Sequence, residues 1–351
     1  MILAVKLEVR SFRIAQRRTF RVSRESYDHQ DCVIVGLGDG RHVGYGEATA
    51  FAVYGAALGD LRAVLAEAAR TVDGYVMGEP AQMWGDLAPL LADHPFARCA
   101  LDVAAHDLWG KRLGQPLHHL LGLDLGQAPP SVFSLGLDPI DRLVADVEAH
   151  PGWPIFKVKA GTDDDVARVR VLRAHTDAAF QVDVNGGWDV ETTLRRAEAL
   201  AELGVTLIEQ PLPASDLAGM AELHGRVALP VIADESCTGE DALTRCLPLF
   251  DGVNLKLMKC GGITGALRMI GLARSAGRAV HMGCMPETSV GISALANLAP
   301  LLDGLDADSI ELIGTDVARG VQLDAGRLVW RDLPGCGFEV DWNLAEGCEI
   351  T

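Results

Sequence analysis

The chain has 351 residues, 49% of them apolar and 23% charged, the mix of an ordinary globular protein with room for a large barrel and an added lobe. Its formal net charge is −17 and it has no basic run, which excludes the counterion-displacing surface that nucleic acid requires and argues against an anionic membrane partner. No apolar run has the length of a membrane span, the first ten residues lack the regions of a signal peptide, and the eight cysteines form no CxxC pair, so free thiols in a reducing cytoplasm are expected.

Residues 1–125 read as one α+β capping domain. Val5, Leu7 and Val9 alternate with charged residues, the period of a strand. Residues 32–37 and 43–47 flank Asp39-Gly40 and predict a hairpin. Helical spacing follows over 58–77, 83–91 and 97–113. In the last of these Ala97, Ala100, Leu101, Ala104, Ala105 and Leu108 share a face that Gly114 and Pro116 end.

Residues 126–320 change pattern. Short apolar strands at 131–135, 155–159, 180–184, 205–209, 230–234, 252–256, 279–283 and 305–308 alternate with helices, among them 163–175, 190–203, 240–247 and 264–276. Eight β/α units of this kind predict a (β/α)8 TIM-type barrel. An open doubly wound sheet would carry a glycine-rich phosphate turn after its first strand, and there is none. Residues 321–351 lie beyond the last unit and are expected to return to the capping domain.

In such a barrel the chemistry gathers where strands end. Here three successive strands end in Asp183, Glu209 and Asp234, 26 and 25 residues apart, about one β/α unit each. That spacing brings three carboxylates to one point. They repel unless a cation is present, and an all-oxygen set suits Mg²⁺ or Mn²⁺. Each acid read alone is an ordinary N-cap for the helix that follows.

The strand before them ends in Lys157-Val-Lys159, so both amines face one side. Lys256 ends the sixth strand, across the barrel from Lys159. A lysine with an ordinary pKa of about 10.4 is a poor base at neutral pH. A neighbouring ammonium and a divalent cation are expected to tune it toward about 7–8. Lys259, in the loop after Lys256, can be read either as part of the site or as surface.

Taken together, Phe156-Lys-Val-Lys-Ala-Gly161, Asp183-Val-Asn-Gly-Gly-Trp188, Ile208-Glu-Gln-Pro-Leu212, Ala233-Asp-Glu-Ser236, Asn254-Leu-Lys-Leu-Met-Lys-Cys-Gly-Gly262 and Met282-Gly-Cys-Met-Pro-Glu-Thr288 resemble the enolase superfamily, in the branch of muconate-lactonizing enzymes. The resemblance includes Gly44-Tyr-Gly-Glu47 and covers nearly the whole chain. It implies an enolase-like barrel, Mg²⁺ on Asp183, Glu209 and Asp234, and Lys159 and Lys256 as the acid/base pair that forms and reprotonates an enediolate. It also implies Lys157 near a substrate carboxylate, and Asn185 and Glu235 in support of the metal ligands.

Asp306-Ala-Asp308 at the eighth strand is similar to the Asp-x-Asp with which dipeptide epimerases hold an α-ammonium, although the stretch also reads as a polar turn. On that resemblance the reaction is dipeptide epimerisation, with L-Ala-D/L-Glu as one candidate substrate. Cycloisomerase, dehydratase and N-acylamino acid racemase are alternatives on another carboxylate substrate. Arg24, or else Arg21, would pair with a substrate side chain, and Ser134, Gly283 and Met285 would line the pocket. Pro286 and Ser309-Ile-Glu-Leu312 depart from the family pattern. His281 reads as a buried structural histidine. Barrels of this kind commonly form homo-oligomers, but no residue pattern here sets a number.

Overall fold

The computed structural model describes residues 4–21 and 26–350. Three antiparallel strands, β1 (Lys6–Arg21), β2 (Ser26–Gly38) and β3 (Val43–Thr49), form the lobe sheet. The turn expected at Asp39-Gly40 is held by Asp39, which accepts from the backbone of Arg41 and His42 at 2.9 and 2.8 Å. The helix Pro95–Leu113 packs on this sheet with Ala97, Ala100, Leu101, Ala104, Ala105 and Leu108 all buried. Gly44 and Gly46 make that contact possible. A Cβ at Gly46 would lie 2.0 Å from the Ala100 carbonyl, and one at Gly44 would lie 2.2 Å from that of Ala104.

Two of the other helices differ from expectation. The helix expected over 58–77 ends at Val72, because Asp73 caps it and Gly74 turns the chain at φ +87. The stretch beyond bridges Val76 to Ala4 instead. The helix expected over 83–91 is two short ones, Pro80–Asp86 and Ala88–Leu91, broken at Leu87.

The barrel strands are β4 (Phe133–Leu135), β5 (Ile155–Lys159), β6 (Ala179–Asp183), β7 (Val205–Glu209), β8 (Val231–Ala233), β9 (Gly252–Leu255), β10 (Ala279–Met282) and β11 (Gly304–Leu305). They run parallel in chain order. A parallel bridge between Ser131 and Leu305, with the Val132 amide on the Leu305 carbonyl at 2.9 Å, closes the ring. The (β/α)8 barrel is therefore complete. The eighth strand is only two residues long, which leaves Asp306 and Asp308 on a loop rather than on the strand expected over 305–308.

The chain's last described residues return to the lobe. Glu349–Ile350 pair with Phe12 and Ser11 of β1, and Trp342 stacks on Phe12 with ring centroids 5.4 Å apart. No helix of the described residues is long and apolar enough to cross a membrane. All eight cysteines are free.

Lobe and barrel are joined through Glu47 of β3. Its buried carboxylate accepts from the Thr288 hydroxyl at 2.7 Å and from the amides of Thr288 and Gly291 at 3.0 Å, at the start of the helix Ser289–Ala296. Glu287 is buried alongside. Burial, then the charge of Glu47, pushes the Glu287 carboxyl up to about 8. Burial, opposed by its hydrogen bonds, pushes Glu47 up to about 7. A raised carboxyl binds its proton more tightly folded than unfolded. Its contribution is therefore complete below the unfolded pKa of about 4.3 and is lost as pH rises through the folded value. The melting temperature should fall between pH 5 and pH 9. Glu287→Gln, which cannot ionise, should flatten that fall and melt several degrees above the parent at pH 9. Parallel melting curves for the two proteins would count against this assignment.

Candidate active site

The β5–β8 register places the expected side chains side by side. Lys159 is opposite Asp183, and Asp183 is opposite Glu209. Backbone φ values of +49 at Asn185 and +39 at Gln210 turn the chain sharply just past the acids. The Gln210 side chain then ties the next loop, donating to Leu212 O and Ser236 Oγ and accepting from the amides of Asp234 and Ser236. The three carboxylates converge at the barrel mouth, as their spacing requires, and all three are buried.

Four amines surround them. Lys157 is buried and reaches Asp183 at 3.3 Å and both Glu209 and Asp306 at 3.0 Å. Lys159 donates to Asp183 at 2.6 Å, and Lys256 to Asp234 at 2.9 Å. Lys259 has all three protons placed, on Asp234 Oδ1 at 2.5 Å, Asp234 O at 2.7 Å and Asn254 O at 3.1 Å. Its ambiguity in the sequence is resolved: it is 2% exposed and grips Asp234.

The electrostatics follow from this packing. Burial raises Asp183 and Asp234, but their lysines outweigh it and hold both below the usual carboxylate range, Asp234 far below. Burial and the charge of Asp183 raise Glu209 to about 7. Burial lowers Lys256, yet Asp234 outweighs it and keeps the amine well above its ordinary value. At Lys256 the nearest acid dominates over the other ammonium groups. Lys157 is held high in the same way, by Glu209 and Asp306 against burial.

A cleft of about 440 Å³ opens above these groups, between barrel mouth and lobe. Lys159, Lys256, Asp234, Asn185 and Glu235 reach it from the barrel, with Ser134, Met285, Asp306 and Asp308. Lys157 lies beneath the acids and is not part of the lining. Gly283 sits behind Lys256, where a Cβ would come 3.4 Å from the lysine stem. Asp306 bonds Lys157, and Asp308 accepts the Ser134 amide at 2.5 Å. Burial and the charge of Asp306 push Asp308 well above the carboxylate range. Asn185 donates to Glu235 at 3.2 Å.

Arg24 lies outside the described residues. Arg21, the other choice, turns away from the cleft to Asp138 at 2.5 Å, and Arg18 is held by both oxygens of Asp146. Arg17 donates to Ile313 O. His281 is outside the cleft lining, lowered to about 4 by burial. The sequence reading missed several contributors. Phe20, Tyr27, Phe51 and Tyr54 form an aromatic ceiling, and Gln16 also faces the cleft. Asn254 donates to Glu209 at 2.9 Å. Only Asn254 carried a signal, since it lies inside a motif already noted.

The acids fit a hard cation. They present oxygen donors only, they are charged against four ammonium groups, and the buried Oε2 of Glu235 and Oδ1 of Asn254 beside them have no hydrogen-bond partner among the described residues.

Residues 5–122 match the mandelate racemase/muconate lactonizing enzyme N-terminal domain, and residues 141–344 match the enolase C-terminal domain-like family. An L-Ala-D/L-amino acid epimerase from a Maribacter species is 42% identical over 96% of this chain and 100% of its own. A dipeptide epimerase from Methylococcus capsulatus, solved with Mg and the dipeptide L-Arg-D-Lys, is 30% identical with a TM-score of 0.89 over 97% of this chain and 100% of its own. The L-Ala-D/L-Glu epimerase of Bacillus subtilis, solved with substrate, is 25% identical with a TM-score of 0.90 over 96% and 98%. On sequence and on fold, the chain belongs to the mandelate racemase/muconate lactonizing enzyme family of enolase-like barrels.

Proposed function

We propose that this protein is a Mg²⁺-dependent dipeptide epimerase that inverts the carbon next to the substrate carboxylate by moving one proton between Lys159 and Lys256. The observation that carries the reading is the placement of these two amines. Both line one cleft, and they stand at the ends of β5 and β9, opposite strands of the eight-stranded ring, Lys256 directly after β9. An α-carbon held between them has one amine on each face. One lysine takes the proton and the other returns one to the opposite face, which is the requirement for inversion. The curated and solved relatives named above act on or bind dipeptides, which supports the substrate class.

Asp183, Glu209 and Asp234 would hold the metal, with Asn185, Glu235 and Asn254 fixing their orientation. A bound Mg²⁺ supplies positive charge against the second negative charge that proton removal puts on the substrate carboxylate. Lys157, beneath the acids, balances their charge and lends Asp306 its orientation. Asp306 and Asp308 accept the substrate α-ammonium through charge-assisted hydrogen bonds, with both acids ionised once it arrives. Among the described lining residues the only cations are Lys159 and Lys256, and Arg24, which the sequence offers as the partner of a substrate side chain, lies outside the described residues.

The test is incubation with a dipeptide library in D₂O, followed by NMR and mass spectrometry, with added Mg²⁺ and after treatment with chelator. Exchange at the carboxyl-terminal α-carbon with inversion, no mass change beyond deuterium and loss of activity to background in chelator is the expected result. Loss of water or ring closure of the product would assign the site to a dehydratase or cycloisomerase instead. Activity indifferent to chelator would remove the metal from the reading.

A further inference from the structure

Gln16 has no role in the chemistry above, yet its environment calls for one. The side chain is 9% exposed, lines the cleft, and its Nε2 has no hydrogen-bond partner among the described residues. A buried amide without a partner carries a desolvation cost that a ligand can relieve. The two ends of the amide can exchange by a flip, so the group offers a donor or an acceptor.

Its position indicates which part of a substrate it would meet. Gln16 bridges to Ile313, just past Asp308, and Leu312 and Phe20 lie beside it. A second cavity of about 200 Å³ adjoins the cleft there, and Gln16, Phe20 and Leu312 line both. The rest of that cavity includes Phe133, just before Ser134. Its Arg18 and Asp146 neutralise each other at 2.5 Å. Arg17, held on the Ile313 carbonyl, and Glu311 add one charge of each sign to a lining otherwise made by His150 and by apolar Phe20, Phe133 and Leu312. The cavity stands at the β11–β4 side of the ring, across from β7 and β8, whose ends carry Glu209 and Asp234. A dipeptide with its carboxylate toward those acids has its amino-terminal half toward Asp306, Asp308 and Gln16.

We infer that Gln16 selects the amino-terminal residue of the substrate by hydrogen-bonding an uncharged polar side chain, with the adjoining cavity as the room for it. This rests on the dipeptide epimerase reading of the same site. The experiment compares kcat/KM for L-Asn-L-Leu and L-Leu-L-Leu, which are near-isosteric at the first residue, and for L-Ala-L-Asn and L-Ala-L-Leu, which vary the second. Calorimetric Kd values for the same four peptides are measured beside them.

In Gln16→Leu the Asn/Leu ratio at the first residue should fall about tenfold in both measurements, with the ratio at the second residue held. Gln16→Glu should raise the relative kcat/KM for a first-position lysine, a gain that a merely structural role would not produce. A first-residue ratio unchanged in Gln16→Leu, or a shift at the second residue instead, overturns the assignment while leaving epimerisation intact. Failure of the parent protein to epimerise any of the four overturns the reading beneath it and this one together.

Discussion

Lys159→Ala and Lys256→Ala should each lose epimerisation by at least about a thousandfold, because general acid–base groups of this kind contribute roughly 10²–10⁴ each and inversion needs both. The two variants should not be equivalent. With one amine gone, the remaining one still faces the α-proton of one stereoisomer. Each variant should then exchange deuterium into that isomer without inverting it, and the two should choose opposite isomers. NMR in D₂O on the pure L-L and L-D dipeptides reads this directly. If both variants exchanged the same isomer, the amines would share a face and the mechanism would be wrong. Folding is a small concern for Lys159, since Asp183 keeps Lys157 at 3.3 Å when Lys159 is removed.

Asp234→Asn should be the most damaging change at the carboxylates, for stability as well as activity. Asp234 is the common partner of Lys256 at 2.9 Å and Lys259 at 2.5 Å. Neutralising it leaves Lys259 charged, nearly inaccessible and bonded only to carbonyl oxygens. Breaking a buried pair in this way costs about 3–5 kcal/mol. Asp183→Asn should cost less, because Lys157 retains Glu209 and Asp306. Urea denaturation of the two variants against the parent gives the comparison. Equal losses would mean that the four amines share the acids as one undivided charge cloud. Turnover with the standard dipeptide should fall to background in both.

The parts of this site that could be read in the sequence are those fixed by short-range rules. Asp183, Glu209 and Asp234 each follow an apolar strand, and a β/α unit has a narrow range of lengths. Their convergence therefore follows from spacing alone. Lys157 and Lys159 follow from strand alternation. Lys259 could not be read, because it lies in a single helical turn, Leu257–Cys260, whose direction is set by packing against the lobe helix.

Gln16 could not be read either. It lies in a register break of the β1–β2 pair between Ala15 and Phe20, where alternation no longer tells which face a side chain takes. The partners of Arg18 and Arg21 were hidden for a different reason. Asp146 and Asp138 are over a hundred positions away and carry no local mark as partners. The helix expected over 58–77 ran too long because its apolar period continues through Tyr75 and Met77, past the Asp73-Gly74 stop.

The outer flank of β1 has a consequence for how the chain is made. Beyond Leu7, whose amide donates to Asp73, what covers it arrives late: Gly314 donates to Ala15 O, Cys348 O accepts from Arg13, and Glu349–Ile350 pair beyond. During synthesis the stretch from Ser11 to Ala15 is a naked β-edge until roughly three hundred more residues have left the ribosome, and joining such distant segments is slow. Lys6, Glu8, Arg10 and Arg13, spaced along the strand, are the kind of charges that discourage nascent chains from sticking to one another edge to edge.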